Sequence, residues 1–185
     1  MNQTKNSMEI IGNHIKEASS ELEQEMVNEF INKIKEGNKV FVLGAGRSGF
    51  VAKMFAMRLM HLGFNSFVVG ETITPALSSE DTVVAISGSG ETSSTIKLAK
   101  TTKENNATLI SVTSNRDSTL SSLSDNIISV KSEFSNKKID KTKIAPLGTL
   151  FEITALVLLD SIVSQIMKTK DISEEYLEEM HATLE

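Results

Sequence analysis

Apolar residues recur at intervals of three and four across residues 7–36: Ile11, Ile15, Leu22, Met26, Phe30 and Ile34. That spacing predicts one amphipathic helix, stopped by Gly37-Asn38. From Lys39 the period changes. Lys39 to Leu43 (KVFVL) is a short apolar run that predicts a strand, and it leads into GAGRSG. Gly49 to Leu62 returns to helical spacing and ends at Gly63. Asn65 to Val69 predicts a second strand, followed by a loop through Pro75. Thr82 to Ser87 (TVVAIS) predicts a third, followed by GSGETSS and a helix to about Asn105. Ala107 to Val112 predicts a fourth strand, a short helix follows Asp117, and Asn126 to Val130 predicts a fifth.

Short apolar strands alternating with helices imply an α/β fold, a parallel sheet covered on both faces. The expected sheet is five-stranded and doubly wound, with the flavodoxin-like order 2-1-3-4-5. Ser132 to Lys143 is polar and Lys-rich and reads as an exposed linker. Pro146 then opens a long apolar helix to about Met167, because proline suits a first helical position. Asp171 and Ser173 precede a last short helix carrying Tyr176, Met180 and His181. The organisation is one domain over 1–185: a helix at about 7–36, a sheet core at about 39–130 and C-terminal helices at about 146–184.

Composition narrows the chemistry. The chain has 185 residues, enough for one sizeable core. It has no cysteine, which excludes a disulfide scaffold, a thiolate zinc site and thiol catalysis, and suits a reducing compartment. A net charge of -5 argues against nucleic acid or an anionic membrane as partner. No apolar run reads as a membrane span, since Ile153 to Val163 is short and contains Asp160. The opening MNQTKNSMEI has no basic-then-apolar layout. A cytoplasmic protein is expected.

In a doubly wound sheet, ligands bind beyond the carboxyl ends of the strands at the switch point, here between strands 1 and 3. Those strands end in Gly44-Ala45-Gly46-Arg47-Ser48-Gly49 and Ser87-Gly88-Ser89-Gly90-Glu91-Thr92. Each loop offers backbone N–H groups and a helix N-terminus. The hydroxyls of Ser48, Ser87, Ser89 and Thr92 complete a cradle for a phosphate monoester, and Arg47 adds a charged donor. The competing explanation is turn and capping chemistry, with Ser89 or Thr92 capping a helix. Two such loops at one switch point favour the site. GAGRSG also matches G-x-G-x-x-G, with Glu71 near the end of the second strand, a dinucleotide fingerprint. That alternative does not require a second anion loop, and 185 residues leave little room for a substrate domain.

From Leu147 to Met167 the only charges are Glu152 and Asp160. A carboxylate in apolar surroundings is costly unless paired, and burial raises its pKa toward that of a useful base. The alternatives for Glu152 are an ion pair with Arg47 or Arg58, or an exposed position; on the helix alone these stand level with catalysis. Asp160, over two turns away, reads as structural. His14 reads as a surface residue. His61, closing the Met-rich helix, and His181, near the C-terminus, are both candidates for an acid/base.

The stretches GAGRSGFVAKMFAMRLMHLGF, VVGETITPAL, AISGSGETSS, APLGTLFE and HATLE together resemble the SIS (sugar isomerase) domain family, and within it the 6-phospho-3-hexuloisomerases. SGSGET marks the superfamily; MRLMHLG and APLGTLFE narrow it. The resemblance implies interconversion of a hex-3-ulose 6-phosphate and fructose 6-phosphate, with no metal and no cofactor. It implies a homo-oligomer, a tetramer, with sites near subunit boundaries, working beside a hexulose-phosphate synthase that condenses formaldehyde with ribulose 5-phosphate. Its substrate-contacting positions fall on Ser48 and on Ser87, Gly88, Ser89, Gly90, Glu91 and Thr92, and its general base on Glu152. Moving a carbonyl from C3 to C2 requires one base and polar partners for a 2,3-enediolate. Fructose 6-phosphate also closes a ring, whose opening falls to His61 or His181. The rival functions are a pentose- or heptose-phosphate isomerase of the same fold, a non-catalytic phosphosugar-binding module, and a nicotinamide-binding protein. The long helix, apolar on nearly all sides, and the Met-rich helix are the surfaces expected to be buried between subunits.

Overall fold

The computed structural model describes residues 2–183; Leu184, the far boundary of the last helical region read from the sequence, and Glu185 lie outside the described residues. The helices are α1 (Gln3–Ser20), α2 (Gln24–Glu36), α3 (Arg47–His61), α4 (Ser93–Glu104), α5 (Thr119–Leu123), α6 (Lys141–Ile144), α7 (Thr149–Lys170) and α8 (Glu174–Glu179). Five strands, β1 (Val40–Gly44), β2 (Ser66–Val68), β3 (Thr82–Ile86), β4 (Thr108–Thr113) and β5 (Asn126–Ser129), form one sheet. Its order is β2-β1-β3-β4-β5 and every neighbouring pair is parallel, the doubly wound arrangement expected.

Successive strand residues face opposite sides of a sheet. Val40, Val42, Val84, Ile86, Ile110 and Val112 enter the larger core with α2, α3 and α7. Phe41, Leu43, Val83, Ala85 and Leu109 enter a smaller one closed by Ala99 of α4 and Leu120 of α5. Both faces are therefore apolar, which is why the strands read as unbroken apolar runs.

Several expectations are corrected. The single helix at 7–36 is two, broken at residues 21–23. Neither glycine nor proline marks the break, and the apolar spacing continues across it. α2 buries Val27, Phe30, Ile31 and Ile34 in the core, whereas α1 lies outside, against α7 and α6. His14 is not at the surface: it is 2% exposed, edge-on to Phe134, with Nε2 3.1 Å from the Lys131 carbonyl. The segment read as an exposed linker therefore has an anchor. Phe134, Ala145 and Leu150 make a third small core with Ile10 and Ile11 beside it.

Pro146 does not open α7. It opens a turn, with Thr149 donating to the Pro146 carbonyl through its N–H and its hydroxyl. α7 itself has 22 residues, long and apolar enough by composition to cross a bilayer, which the sequence reading excluded. Here it is the central helix of the larger core, with Phe151, Ala155, Leu159, Ile162 and Ile166 buried. Asp160 is exposed on its outer side. Met180 and His181 follow α8 rather than lie in it.

Candidate functional site

Gly44 and Ile86 are paired neighbours at the ends of β1 and β3, so the two glycine-serine loops leave the sheet side by side. From there the chain diverges, to α3 on the larger core and α4 on the smaller. That divergence opens the crevice in which such sheets bind ligands. The first turn of α7 arrives at the same place. Its Phe151 ring packs on Gly88, where an added Cβ would lie 3.0 Å from the ring carbons, so a larger residue there would have to push the ring aside.

The second loop is held from one side. The Gly88 carbonyl accepts from the Ser114 N–H at 3.0 Å and its hydroxyl at 2.7 Å, and from the Thr113 hydroxyl at 3.2 Å. Asn115 donates to the Ser89 carbonyl and Leu120 N–H to that of Gly90. Among the described residues, the N–H groups of Gly88, Ser89 and Gly90 meet no acceptor in the chain. Carbonyls tied back and amides free is the polarity an anion requires. The capping alternative is also tested. Thr92 is the N-cap of α4 but makes no side-chain cap bond; its hydroxyl lies 3.4 Å from that of buried Ser87. Ser89 Oγ accepts from Glu91 N–H. The N-caps of α3 and α7, Gly46 and Gly148, likewise supply no side-chain cap. Three uncapped helix N-termini thus meet at one end of the sheet, a favourable field for a phosphate.

Glu91 has another duty. Its carboxylate accepts from the N–H and hydroxyl of Thr119, at 2.6 and 2.9 Å, and these bonds hold its pKa below the usual glutamate value. It fastens the loop to α5. Ser48 is buried in the first turn of α3. Arg47, expected at the phosphate, donates through Nε to Glu152 Oε2. The ion pair that the sequence left open for Glu152 is therefore made, and with Arg47 rather than Arg58. The Glu152 side chain is 12% exposed and that of Arg47 61%. The other Glu152 oxygen lies over Gly148, where an added Cβ would stand 2.9 Å away. Arg47 and Glu152 line an open groove of about 450 Å³ with Phe50, Met54 and Ile153.

The two histidines stand elsewhere. His61 is buried at the far end of α3, and its ring stacks on that of His181 at 5.4 Å between centroids. Fourteen residues of helix, roughly 20 Å, separate His61 from Arg47. Within one subunit they do not join Glu152. Glu71, the acid of the dinucleotide alternative, pairs with Lys53 at 2.6 Å. Among the described residues no three metal-ligating side chains stand together.

The SIS domain pattern matches residues 33–140, which take in the sheet and both loops. The chain belongs to the SIS domain family. The SIS match ends before Glu152, and the full-length relatives carry the likeness further. The chain is 37% identical to a 3-hexulose-6-phosphate isomerase of Methanocaldococcus jannaschii, over 85% of this chain and 83% of that one. It is 36% identical to a 3-hexulose-6-phosphate isomerase of Bacillus subtilis, over 94% of each. Among solved structures, a Methanococcus jannaschii protein whose inferred function is 3-hexulose-6-phosphate isomerase superposes with a TM-score of 0.84 at 34% identity. That match covers 97% of this chain and 99% of the other.

Sequence reasoning missed four contributors to the site: Thr113, Ser114, Asn115 and Phe151. Three of them were signalled by the Thr-Ser-Asn that ends the strand beside β3, where a third loop must border the switch point. The fourth, Phe151, had no signal, because it reads as one more apolar residue of the long helix. Beside the site, Leu147 is 90% exposed with a φ of 55°, in a turn whose next residue, Gly148, has φ -83° and ψ 4°. Positive φ at the first central position is that of a type II′ turn, a position dominated by glycine.

Proposed function

We propose that this SIS domain is a phosphosugar isomerase that interconverts D-arabino-hex-3-ulose 6-phosphate and D-fructose 6-phosphate through a 2,3-enediol. The observation that carries the proposal is the position of Glu152, a lone carboxylate on the turn of α7 that adjoins both glycine-serine loops. The phosphate takes the free amides of Gly88, Ser89 and Gly90 and the hydroxyls of Ser48, Ser87, Ser89 and Thr92. Glu152 takes the proton from C2 of the 3-ulose, leaving an enediolate, and returns it at C3. The C2 hydroxyl proton passes to the C3 oxygen, so the carbonyl arrives at C2 with no net change in atoms. Uncapped helix ends favour the negative charge that develops on the oxygens.

Ring opening of fructose 6-phosphate needs an acid/base that this subunit does not bring to Glu152. Phe50, Met54 and Met57 form an exposed apolar stripe along α3, linking its two ends. A two-fold axis crossing that stripe sets the His61–His181 end of one copy beside the Arg47–Glu152 end of another. A homo-oligomer, expected to be a tetramer, completes the site in this reading. The 3-ulose 6-phosphate is supplied by aldol condensation of formaldehyde with ribulose 5-phosphate, the reaction of a hexulose-phosphate synthase, in a cytoplasmic setting.

A coupled assay tests the reading. Purified synthase, ribulose 5-phosphate, formaldehyde and this protein should yield fructose 6-phosphate. Consumption of formaldehyde with no fructose 6-phosphate overturns it, and preferential turnover of a pentose or heptose phosphate redirects it within the family.

A further inference from the structure

We propose that Arg47 is a positioning residue that occupies the Glu152 carboxylate in the empty site and releases it when a phosphate dianion takes the guanidinium. The proposal rests on the reading of Glu152 as the base.

The geometry supplies both halves of the exchange. One Glu152 oxygen accepts from Arg47 and the other lies over the Gly148 backbone. A carboxylate oxygen held by a guanidinium does not present that lone pair to a carbon-bound proton. The base is well buried in a core helix and stays in place, while the guanidinium is more than half exposed and is the partner free to move. Arg47 is the first residue of α3, and side chains in a helix lean toward its N-terminus. Its reach is therefore directed at the end where the uncapped amides of α3 and the 87–92 loop lie. A phosphate monoester carries nearly two charges against the carboxylate's one, and its oxygens match the guanidinium fork. Two other cations, Lys53 and Arg116, are held by Glu71 and Glu23. Baring Glu152 without a ligand leaves a charge in apolar surroundings, which is unfavourable. The base is thus exposed only when a phosphorylated sugar is there to use it.

The test separates the sugar from its phosphate. The substrate piece is 6-deoxyhex-3-ulose, which has no phosphate and, lacking a C6 oxygen, cannot close a ring there. Inorganic phosphate is the probe, and Arg47→Ala and Arg47→Gln are the variants, with thermal melting to check that both are folded. Wild type should isomerise the deoxy sugar slowly, and inorganic phosphate should raise that rate at least about tenfold, the size of one hydrogen bond to a charged group. Both variants should exceed wild type on the deoxy sugar without phosphate and gain nothing when it is added. Phosphate activation that survives in both variants overturns the proposal. So does slower turnover of the deoxy sugar by both variants in the absence of phosphate. Wild-type turnover of the 6-phosphate ester runs alongside. If that is present and the variants behave as just stated, only the role of Arg47 falls; if it is absent, the isomerase reading falls and takes this proposal with it.

Discussion

At its N-terminal end α3 meets two glycine-serine loops and the first turn of α7; at its C-terminal end it meets α8 and a pair of stacked histidines. The first end is built from backbone: free amides, uncapped helix termini and glycines pressed against Phe151 and Glu152. The second is built from side chains, His61 under His181, with Tyr176 beside Gly63. Backbone amides bind an anion without being able to exchange protons with it, whereas imidazoles exchange protons near neutral pH. In the proposed function the first end holds the phosphate and the second does acid-base work, and Glu152 brings the first end a carboxylate besides that of Glu91, which Thr119 occupies. In that proposal the exposed stripe of Phe50, Met54 and Met57 between them is the surface a second copy would cover.

Replacing Glu152 at the loop end is the strongest way to test the division. Glu152→Gln keeps size and removes the base, so kcat should fall at least about a hundredfold in both directions, with little change in KM. A folded variant with near-normal kcat on the 3-ulose rejects Glu152 as the base. If only fructose 6-phosphate turnover falls, Glu152 serves ring opening instead.

The histidine end should show an effect of similar size in one direction only. His61→Asn should lower turnover of fructose 6-phosphate by about a hundredfold while sparing the 3-ulose, which has no ring to open through its blocked C6 oxygen. Met57→Lys places a charge in the stripe away from the groove that Arg47 and Glu152 line. It should shift the protein to smaller species by light scattering and reproduce the His61→Asn pattern. A wild-type monomer at micromolar concentration, or a fully active monomeric variant, removes the neighbouring copy from the account.

Smaller effects belong to the cradle. Ser87→Ala or Ser89→Ala should weaken binding by about 1 to 2 kcal/mol, roughly five- to thirtyfold in KM, and inorganic phosphate should compete with substrate. Wild-type KM in both variants returns the loop to a capping role.

The third histidine calibrates the other two. Burial holds the pKa of His14 below the ordinary histidine value, since desolvation outweighs its bond to the Lys131 carbonyl. Its neighbours Glu17, Glu21 and Lys131 act in the same segment, with Lys131 paired to both glutamates. The unfolded chain therefore binds the proton more readily than the folded one. Stability should fall as pH drops through about 6.5 and level off below the folded value. The Tm difference between wild type and His14→Gln, followed from pH 8 to 5, should show this; no dependence on pH would place His14 outside the buried contact. Turnover at pH 7 should be unaffected, in contrast to His61.

The loops show how much of the site the sequence carried. Glycine and hydroxyl residues were legible at the ends of two strands because β1 and β3 are short apolar runs with unambiguous stops. Glu152 was legible as a charge in an apolar helix, but its partner was a choice between Arg47 and Arg58 that only the crossing of α3 and α7 resolves. Arg47 read as a phosphate ligand because it sits in the loop; nothing local says that a carboxylate 105 residues away holds it. His14 read as surface because its sequence neighbours are polar, whereas its burial comes from Phe134, brought over by the return of the chain.

Periodicity and punctuation determined the strands and the two loops, because each depends on residues close in sequence, and the order followed from the doubly wound pattern that alternating strands and helices imply. Alternation sets the faces of a strand, and the right-handed crossover sets the winding. The break between α1 and α2, the turn that holds Leu147 and the burial of His14 were decided by tertiary packing, where distant segments compete for the same surface. So was the pairing of Glu152 with Arg47, and so was the separation of that pair from His61. Distance through space is set by how helices cross, and a helix records only which residues share its face.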